Sequence, residues 1–306
     1  MATSNENITG EFVLPEKKTV WDAILRMLRK QPLGSAGAIV IIIMAFAAIF
    51  ADYVAPFDPE MENFEFMLSP PGTLHEESGK VFYFGTDSFG RDQLSRMIYG
   101  ARTALLVGFT ASFVGAFIGL VLGVGSAYFG GYIDLIFQRV MDIFMAFPLV
   151  IMALAIVSIF GTGVSMVIIA ITIPFIPRCA RVVRSSALAL RELPYIDAAR
   201  SVGYSHARII LRHMVPNVMA PFLIMLTAFV GQAILTEASL SYLGMGVQEP
   251  TAAWGLMLQG GAEEYAESAP WVPIWPGVAI TLAVFGFNLF GDAVRDVLDP
   301  KLRSQT

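Results

Sequence analysis

The sequence predicts an all-α membrane protein, a polytopic bundle of six transmembrane helices with both termini in the cytoplasm. Three observations predict it. Of the 306 residues, 56% are hydrophobic and only 15% are charged. A soluble domain carries about 25% charged residues, and so few charges cannot cover a surface that faces water. Six stretches are apolar on every face and approach the roughly 20 residues needed to cross a hydrocarbon core about 30 Å thick. Finally, 16 of the 20 Lys and Arg residues fall in alternate connections and the two tails, while the other four, Lys80, Arg91, Arg96 and Arg102, share one loop. The positive-inside rule then puts both termini in the cytoplasm. The same composition excludes other classes. One cysteine, Cys179, cannot make a disulfide scaffold. The apolar content excludes disorder, and a net charge of −5 without a basic stripe does not fit nucleic acid.

In chain order, residues 1–32 form a cytoplasmic lead, in which 20–30 reads as a short amphipathic helix on the membrane. Residues 33–55 form the first span, too long and too late for a secretory signal. An extracytoplasmic loop follows over 56–102, and residues 103–293 form the core with five more spans. The second span, 103–129, carries Ala111, Gly115, Gly119, Gly123 and Ala127 at every fourth position. That smooth ridge lets another helix backbone approach, either within this chain or from another subunit. Gly130-Gly131 then breaks the helix. The third span is 143–160. The fourth, 164–183, is interrupted by Pro174 and Pro177. The fifth and sixth are 218–235 and 274–291, and 294–306 is a cytoplasmic tail. Barrel strands would alternate apolar and polar residues, which these runs do not.

The loop 185–217 is the most informative segment. Ala198 and Ala199 favour a helix, and Asp197 suits its N-terminus. Gly203 permits a tight turn. Ser205 can cap a second short helix, and Pro216 opens the fifth span where its missing N–H costs little. A helix pair with a smooth centre and a basic rim either docks into another protein or lies on anionic lipid.

The segment resembles the EAA loop of ABC-importer permeases, with Asp197 in place of Glu, then Ala198-Ala199, Gly203, and a Met214-Val215-Pro216 close. FGTDSFGRD (84–92) with LSRMIYGAR (94–102), EASLSYLG (237–244), PTAAWG (250–255) and NLFGDAVRDVLDP (288–300) are similar to blocks of the dipeptide/oligopeptide permease "C" subunits. The resemblance implies a type I ABC-importer permease fold in the bacterial inner membrane. It also implies an ATP-driven importer of peptides, with this chain as half of a heterodimeric pore beside a homologous B-type permease. An extracytoplasmic solute-binding protein would deliver solute, and two ATPase subunits would hold the ATP and Mg. This chain would be a non-catalytic subunit without cofactor or metal, and no G-x-x-x-x-G-K-[ST] loop occurs in it. On this resemblance a helix over 195–201 inserts into the ATPase. Tyr195, Asp197, Ala198 and Ala199 would lie on it, Gly203 would set the bend, Arg212, His213 and Asn217 would tie the second short helix to the membrane surface, and Pro216 belongs to the same coupling set. Tyr204 has no role in this reading.

On the outer side, Gly85, Asp87, Gly90, Arg91 and Asp92 read as turn and cap residues, with Asp87 and Asp92 capping the helix that enters the second span. The other external segment, 244–272, carries Trp254 and Trp271. Glu237 is a pore-lining candidate or a helix-end acid that reaches water. Asn288, the other pore-lining candidate, is expected to bond across helices. Arg178, Arg181 and Arg184 form a stripe expected near the membrane surface. Cys179 reads as a small buried residue. The rival function is an ion- or proton-coupled secondary transporter, which expects inverted repeats and ionisable groups at mid-membrane. Related permeases serve dipeptides, longer peptides, glutathione, nickel complexes or sugars, and these spans do not separate them.

Overall fold

A computed structural model of the protein describes residues 31–298. The expected amphipathic helix over 20–30 lies outside the described residues. Five helices are long and apolar enough to cross a bilayer, and a sixth span results when a bent pair counts as one.

Helix α1 (Pro32–Ile49) opens with proline at its first turn, where no N–H is required. A four-residue helix, Ala51–Val54, and an irregular segment lead to a small hairpin, β1 (Thr73–His75) and β2 (Lys80–Phe82), paired antiparallel with Thr73 opposite Phe82. Helix α2 (Gln93–Phe129) has 37 residues. It starts ten residues before the predicted span, because Asp92 caps it and because its first turns pack into a folded cap rather than an open loop. Gly130 and Gly131, at φ +64° and +57°, end α2, a conformation that a side chain resists.

The third predicted span is not one helix. It divides into α3 (Gly131–Met145) and α4 (Leu149–Phe160), bent by 87°. Pro148 precedes α4, and the residue before a proline avoids the helical region. Helix α3 also carries Asp134 and Asp142, whose carboxylates pair with Arg184 and Arg181 of the long helix 164–191. The fourth predicted span needs the opposite correction. Helix α5 (Val164–Arg191) runs unbroken through Pro174 and Pro177. Both prolines are buried, and neighbouring helices let a membrane helix keep its course past proline.

Helix α6 (Pro194–Ser201) follows, then a single turn, His206–Ile209, a wide turn over Ile210–Met214 and a tight one over Val215–Val218. Helices α7 (Met219–Tyr242), α8 (Trp254–Glu264) and α9 (Trp271–Leu298) complete the described chain. Residues 244–272 are therefore not simply a loop, since α8 lies within them.

The glycine ridge of α2 faces this chain's own α5. A Cβ at Gly115 would lie 2.9 Å from Phe175 Cβ, at Gly119 2.6 Å from Cys179 Cβ, and at Gly123 2.5 Å from the Ala180 carbonyl oxygen. The two axes are thus as close as backbones allow. Cys179 is fully buried there, its thiol donating to the Ala116 carbonyl at 3.3 Å. A second close crossing joins α1 to α9, where a Cβ at Gly37 would meet the Gly286 carbonyl at 2.5 Å.

Candidate functional site

Helix α2 links two ends of the bundle: the loop end, near Phe129 and α6, and the cap end, near Gln93. The predicted functional residues divide between them.

At the loop end, α6 begins with Pro194 in its first turn and carries Asp197 in that turn, where a carboxylate complements the helix dipole. Asp197 and Ala198 face outward, whereas Ile196 and Ala199 turn into the bundle. The alanine pair is therefore split between the two faces rather than forming one smooth surface. Arg200 Nη1 donates to Asp197 Oδ1 at 3.1 Å, with both side chains exposed. Gly203 has φ +83°, and a Cβ there would meet open space, so the turn needs glycine for its backbone angle alone. Ser205 Oγ accepts from the Arg208 N–H at 3.4 Å, as its capping role requires.

Tyr204 acquires a role. The Arg208 guanidinium lies 4.1 Å from its ring centroid, and the His213 ring stacks at 6.0 Å. Tyr195 approaches the same imidazole at 6.2 Å. His213 thus sits between a tyrosine of α6 and one of the turn, joining α6 to the segment that enters α7. Asn217 Nδ2 donates to the His213 carbonyl at 2.6 Å. Pro216 lies in the tight turn before α7, and Arg212 is exposed. Two further bonds fasten the hairpin to α2: Tyr128 Oη to His206 Nδ1 at 2.7 Å, and Arg191 Nη1 to the Ala127 carbonyl at 2.9 Å.

At the cap end, Gly85 and Gly90 sit in turns at φ +77° and +73°. Asp92 caps α2, accepting from the Ser95 N–H at 2.8 Å and the Ser95 hydroxyl at 2.7 Å. Asp87 does not cap that helix. Its Oδ1 accepts from the N–H groups of Phe89 and Arg91, and its Oδ2 from Arg91 Nε at 2.7 Å. The two carboxylates differ because only Asp92 lies next to the helix start, while Asp87 lies at the head of the preceding turn.

Sequence reasoning missed Glu249. It receives Arg91 Nη1 at 2.7 Å and Nη2 at 3.1 Å, and Arg96 Nη2 at 3.3 Å. Arg96 also donates to the Pro59 carbonyl at 3.1 Å. Arg91 and Arg96 are 4% and 1% exposed. The network joins three chain segments, reinforced by Trp254 Nε1 to the Met97 carbonyl and Trp271 Nε1 to the Thr86 carbonyl. Burial works to raise the Glu249 carboxyl, but the bonds and charges of Arg91 and Arg96 outweigh it and hold that carboxyl below its usual range. The one available signal was the position of Glu249 directly before the PTAAWG block.

The two pore candidates are placed differently from expectation. Glu237 is enclosed at 1% exposure, accepting from Ser241 Oγ at 2.7 Å, so in this structure it neither reaches water nor faces an open path. Asn288 is exposed beside Gly231, and no cross-helix hydrogen bond from it is seen among the described residues. The arginine stripe divides as well. Arg181 donates to Asp142 at 2.5 Å and Arg184 pairs with Asp134, while Arg178 donates to the neutral Gln232 Oε1 at 3.3 Å.

The family described as "Binding-protein-dependent transport system inner membrane component" matches residues 101–304, and "N-terminal TM domain of oligopeptide transport permease C" matches 19–71. A dipeptide transport system permease protein of Alkalihalophilus pseudofirmus is 40% identical over 284 residues, covering 93% of this chain and 91% of that protein. A glutathione transport system permease protein of Escherichia coli O6:K15:H31 is 39% identical over 294 residues, covering 95% and 94%. Among solved structures, an inward-facing MetNI methionine ABC transporter superposes with a TM-score of 0.54 at 20% identity, over 67% of this chain and 96% of that one. That likeness bears on the fold alone. With a bundle of apolar helices, a short helical hairpin at one end and family matches over most of its length, the chain belongs to the binding-protein-dependent transport system inner membrane components, as a multi-pass ABC permease of the type I fold.

Proposed function

We propose that this chain is one half of a heterodimeric pore that imports peptides across the bacterial inner membrane, driven by ATPases in the cytoplasm. Both termini and the loop end face the cytoplasm, which agrees with the Lys and Arg distribution. A delivery protein docks at the cap end. The solute class follows the dipeptide and glutathione permeases that the chain resembles over nearly all of its length. ATP is hydrolysed on the partner subunits, and this chain receives the resulting movement.

The observation that carries the reading is the hairpin of α6 and the following turn. It is short, bent at Gly203, and presents Tyr195 at 40% and Val202 at 75% exposure beside outward-facing Asp197 and Ala198. An apolar and small-residue tip of this kind fits a groove on a companion protein. Through the Tyr195–His213–Tyr204 stack it is joined to the start of α7. A push on α6 is therefore delivered to a membrane span, which is what rigid-body alternating access requires.

The test uses the assembled transporter in proteoliposomes with its ATPases and delivery protein. Gly203→Pro is expected to abolish ATP-driven uptake while membrane insertion stays intact, because a proline cannot adopt a positive φ. Unimpaired uptake by that variant removes the coupling role. Accumulation by the chain alone, without companion subunits, removes the ATP-driven reading altogether.

A further inference from the structure

Arg178 stands apart from the rest of its stripe. Arg181 and Arg184 each hold a carboxylate of α3. Arg178 has the amide oxygen of Gln232 on α7, and no salt bridge to it is seen among the described residues. Its position makes this costly. Arg178 lies near the middle of the 28-residue α5, about 20 Å from either end at 1.5 Å per residue. Gln232 lies about 20 Å from the start of α7 and about 15 Å from its end on the same rise. Side chains on a helix lean toward its N-terminus, which for α5 is the end away from the loop. The guanidinium is thus directed away from Arg181, one turn closer to the loop, and toward the apolar stretch of α5. Phe175 and Phe229, stacked at 4.2 Å, close the space between α5 and α7 beside the pair.

A charged group inside the span needs water, a partner or a polar ligand, because an uncompensated arginine is costly against lipid. The surfaces of the bundle show which side is which. The exposed large residues of α1 are Leu33, Ile39, Ile42, Ile43, Phe46 and Ile49, all apolar, as a lipid-facing surface should be. The uncovered stripe of α7 reads instead Ala228, Gln232 and Leu235, at helical spacing. Ala228 and Gln232 give no large apolar cover of the kind α1 presents, whereas Leu235, 48% exposed, does.

We infer that Arg178, backed by Gln232, faces the solute path on the loop side of the membrane centre and takes a carboxylate of the passing solute. The inference rests on the proposed reading of the chain as half of a pore. Gln232 Oε1 orients one edge of the guanidinium, and a planar guanidinium with free N–H groups matches a carboxylate in a bidentate pair. A peptide brings such a group at its C-terminus. An ammonium at the same place would be repelled. The single neutral acceptor keeps the site weak enough for release, whereas a fixed aspartate in place of Gln232 would occupy the arginine permanently.

The test places a thiol beside the arginine in the assembled transporter, as Gln232→Cys in a Cys179→Ala background. An anionic methanethiosulfonate carrying a sulfonate is compared with a cationic one carrying trimethylammonium. The anionic reagent is expected to gain about tenfold in relative rate from the neighbouring charge, and Arg178→Gln is expected to abolish that preference while Arg178→Lys retains part of it. Alanyl-alanine should slow the labelling, and its C-terminal amide should not. Equal relative rates with and without Arg178 overturn the assignment. So does a thiol that neither reagent reaches because lipid or the partner permease covers it. A complex with the anion preference that accumulates no dipeptide overturns the proposed solute but leaves the carboxylate site standing. One that accumulates dipeptide without the preference does the reverse.

Discussion

At the cap end, Arg91 and Arg96 are almost wholly buried, and their charges are met by Asp87 close by in the chain and by Glu249 from a distant segment. At the loop end, Asp197 and Arg200 pair with each other, three residues apart on one exposed helix, and the Arg200 guanidinium lies 5.4 Å from the centroid of the Tyr128 ring. Both ends bond charges at similar distances, yet the consequences differ. A buried network fixes the segments it joins, because removing one member strands the others in a low dielectric. An exposed pair is screened and adds little, so it stays available to a partner. The cap is built to hold its shape, and the hairpin leaves its charged pair open to its surroundings.

The largest expected contrast is steric. A Cβ at Gly90 would lie 1.7 Å from the Asn63 carbonyl oxygen, at φ +73°. Gly90→Ala is therefore expected to destabilise the chain by about 4 kcal/mol or more, read as loss of folded protein in detergent or a large drop in Tm. Gly203→Ala, at φ +83° but with open space around it, should cost only about 1–2 kcal/mol. Equal effects at the two glycines would erase the distinction between the ends.

Arg91→Gln should cost about 3 kcal/mol by removing the guanidinium that bridges Asp87 and Glu249 and leaving Arg96 alone to compensate both carboxylates. The same network has a pH signature. The Glu249 carboxyl titrates lower in the folded chain than in the unfolded one. Its contribution is therefore full above the ordinary carboxylate range and is lost as the pH falls through the lower, folded value. Thermal melts should show the cap loosening first in acid, and Glu249→Gln should flatten that dependence. The smallest effect belongs to the loop end. Asp197→Asn is expected to change stability by no more than about 0.5 kcal/mol, while ATP-driven uptake falls if the carboxylate meets the ATPase. A stability loss as large as that of Arg91→Gln would mean that the loop-end pair is structural after all.

Local features were legible where neighbouring residues decide them. The α2 ridge, the cap at Asp92, the cap at Ser205 and the turn at Gly203 each follow from spacing within a few positions. What stayed hidden needed partners far away in the chain. Arg91 and Glu249 are 158 residues apart, and no periodicity connects them. Pro174 and Pro177 looked like breaks because proline removes a donor, but burial beside α2 lets α5 continue. Pro148 did break a span that hydropathy had joined, since hydropathy averages over a bend. The carboxylates of α3 looked like loop residues until α5 brought arginines to them, and that arrangement is also what singles out Arg178.

The crossing of α2 with α5 is not central. Gly119 lies 26 residues from Gln93 and ten from Phe129, or about 39 Å and 15 Å along a straight helix. In the proposed importer, a tilt of α2 about this contact that moves Phe129 by 1 Å would carry the cap, as one body held by its buried arginines, by about 2.6 Å in the opposite sense.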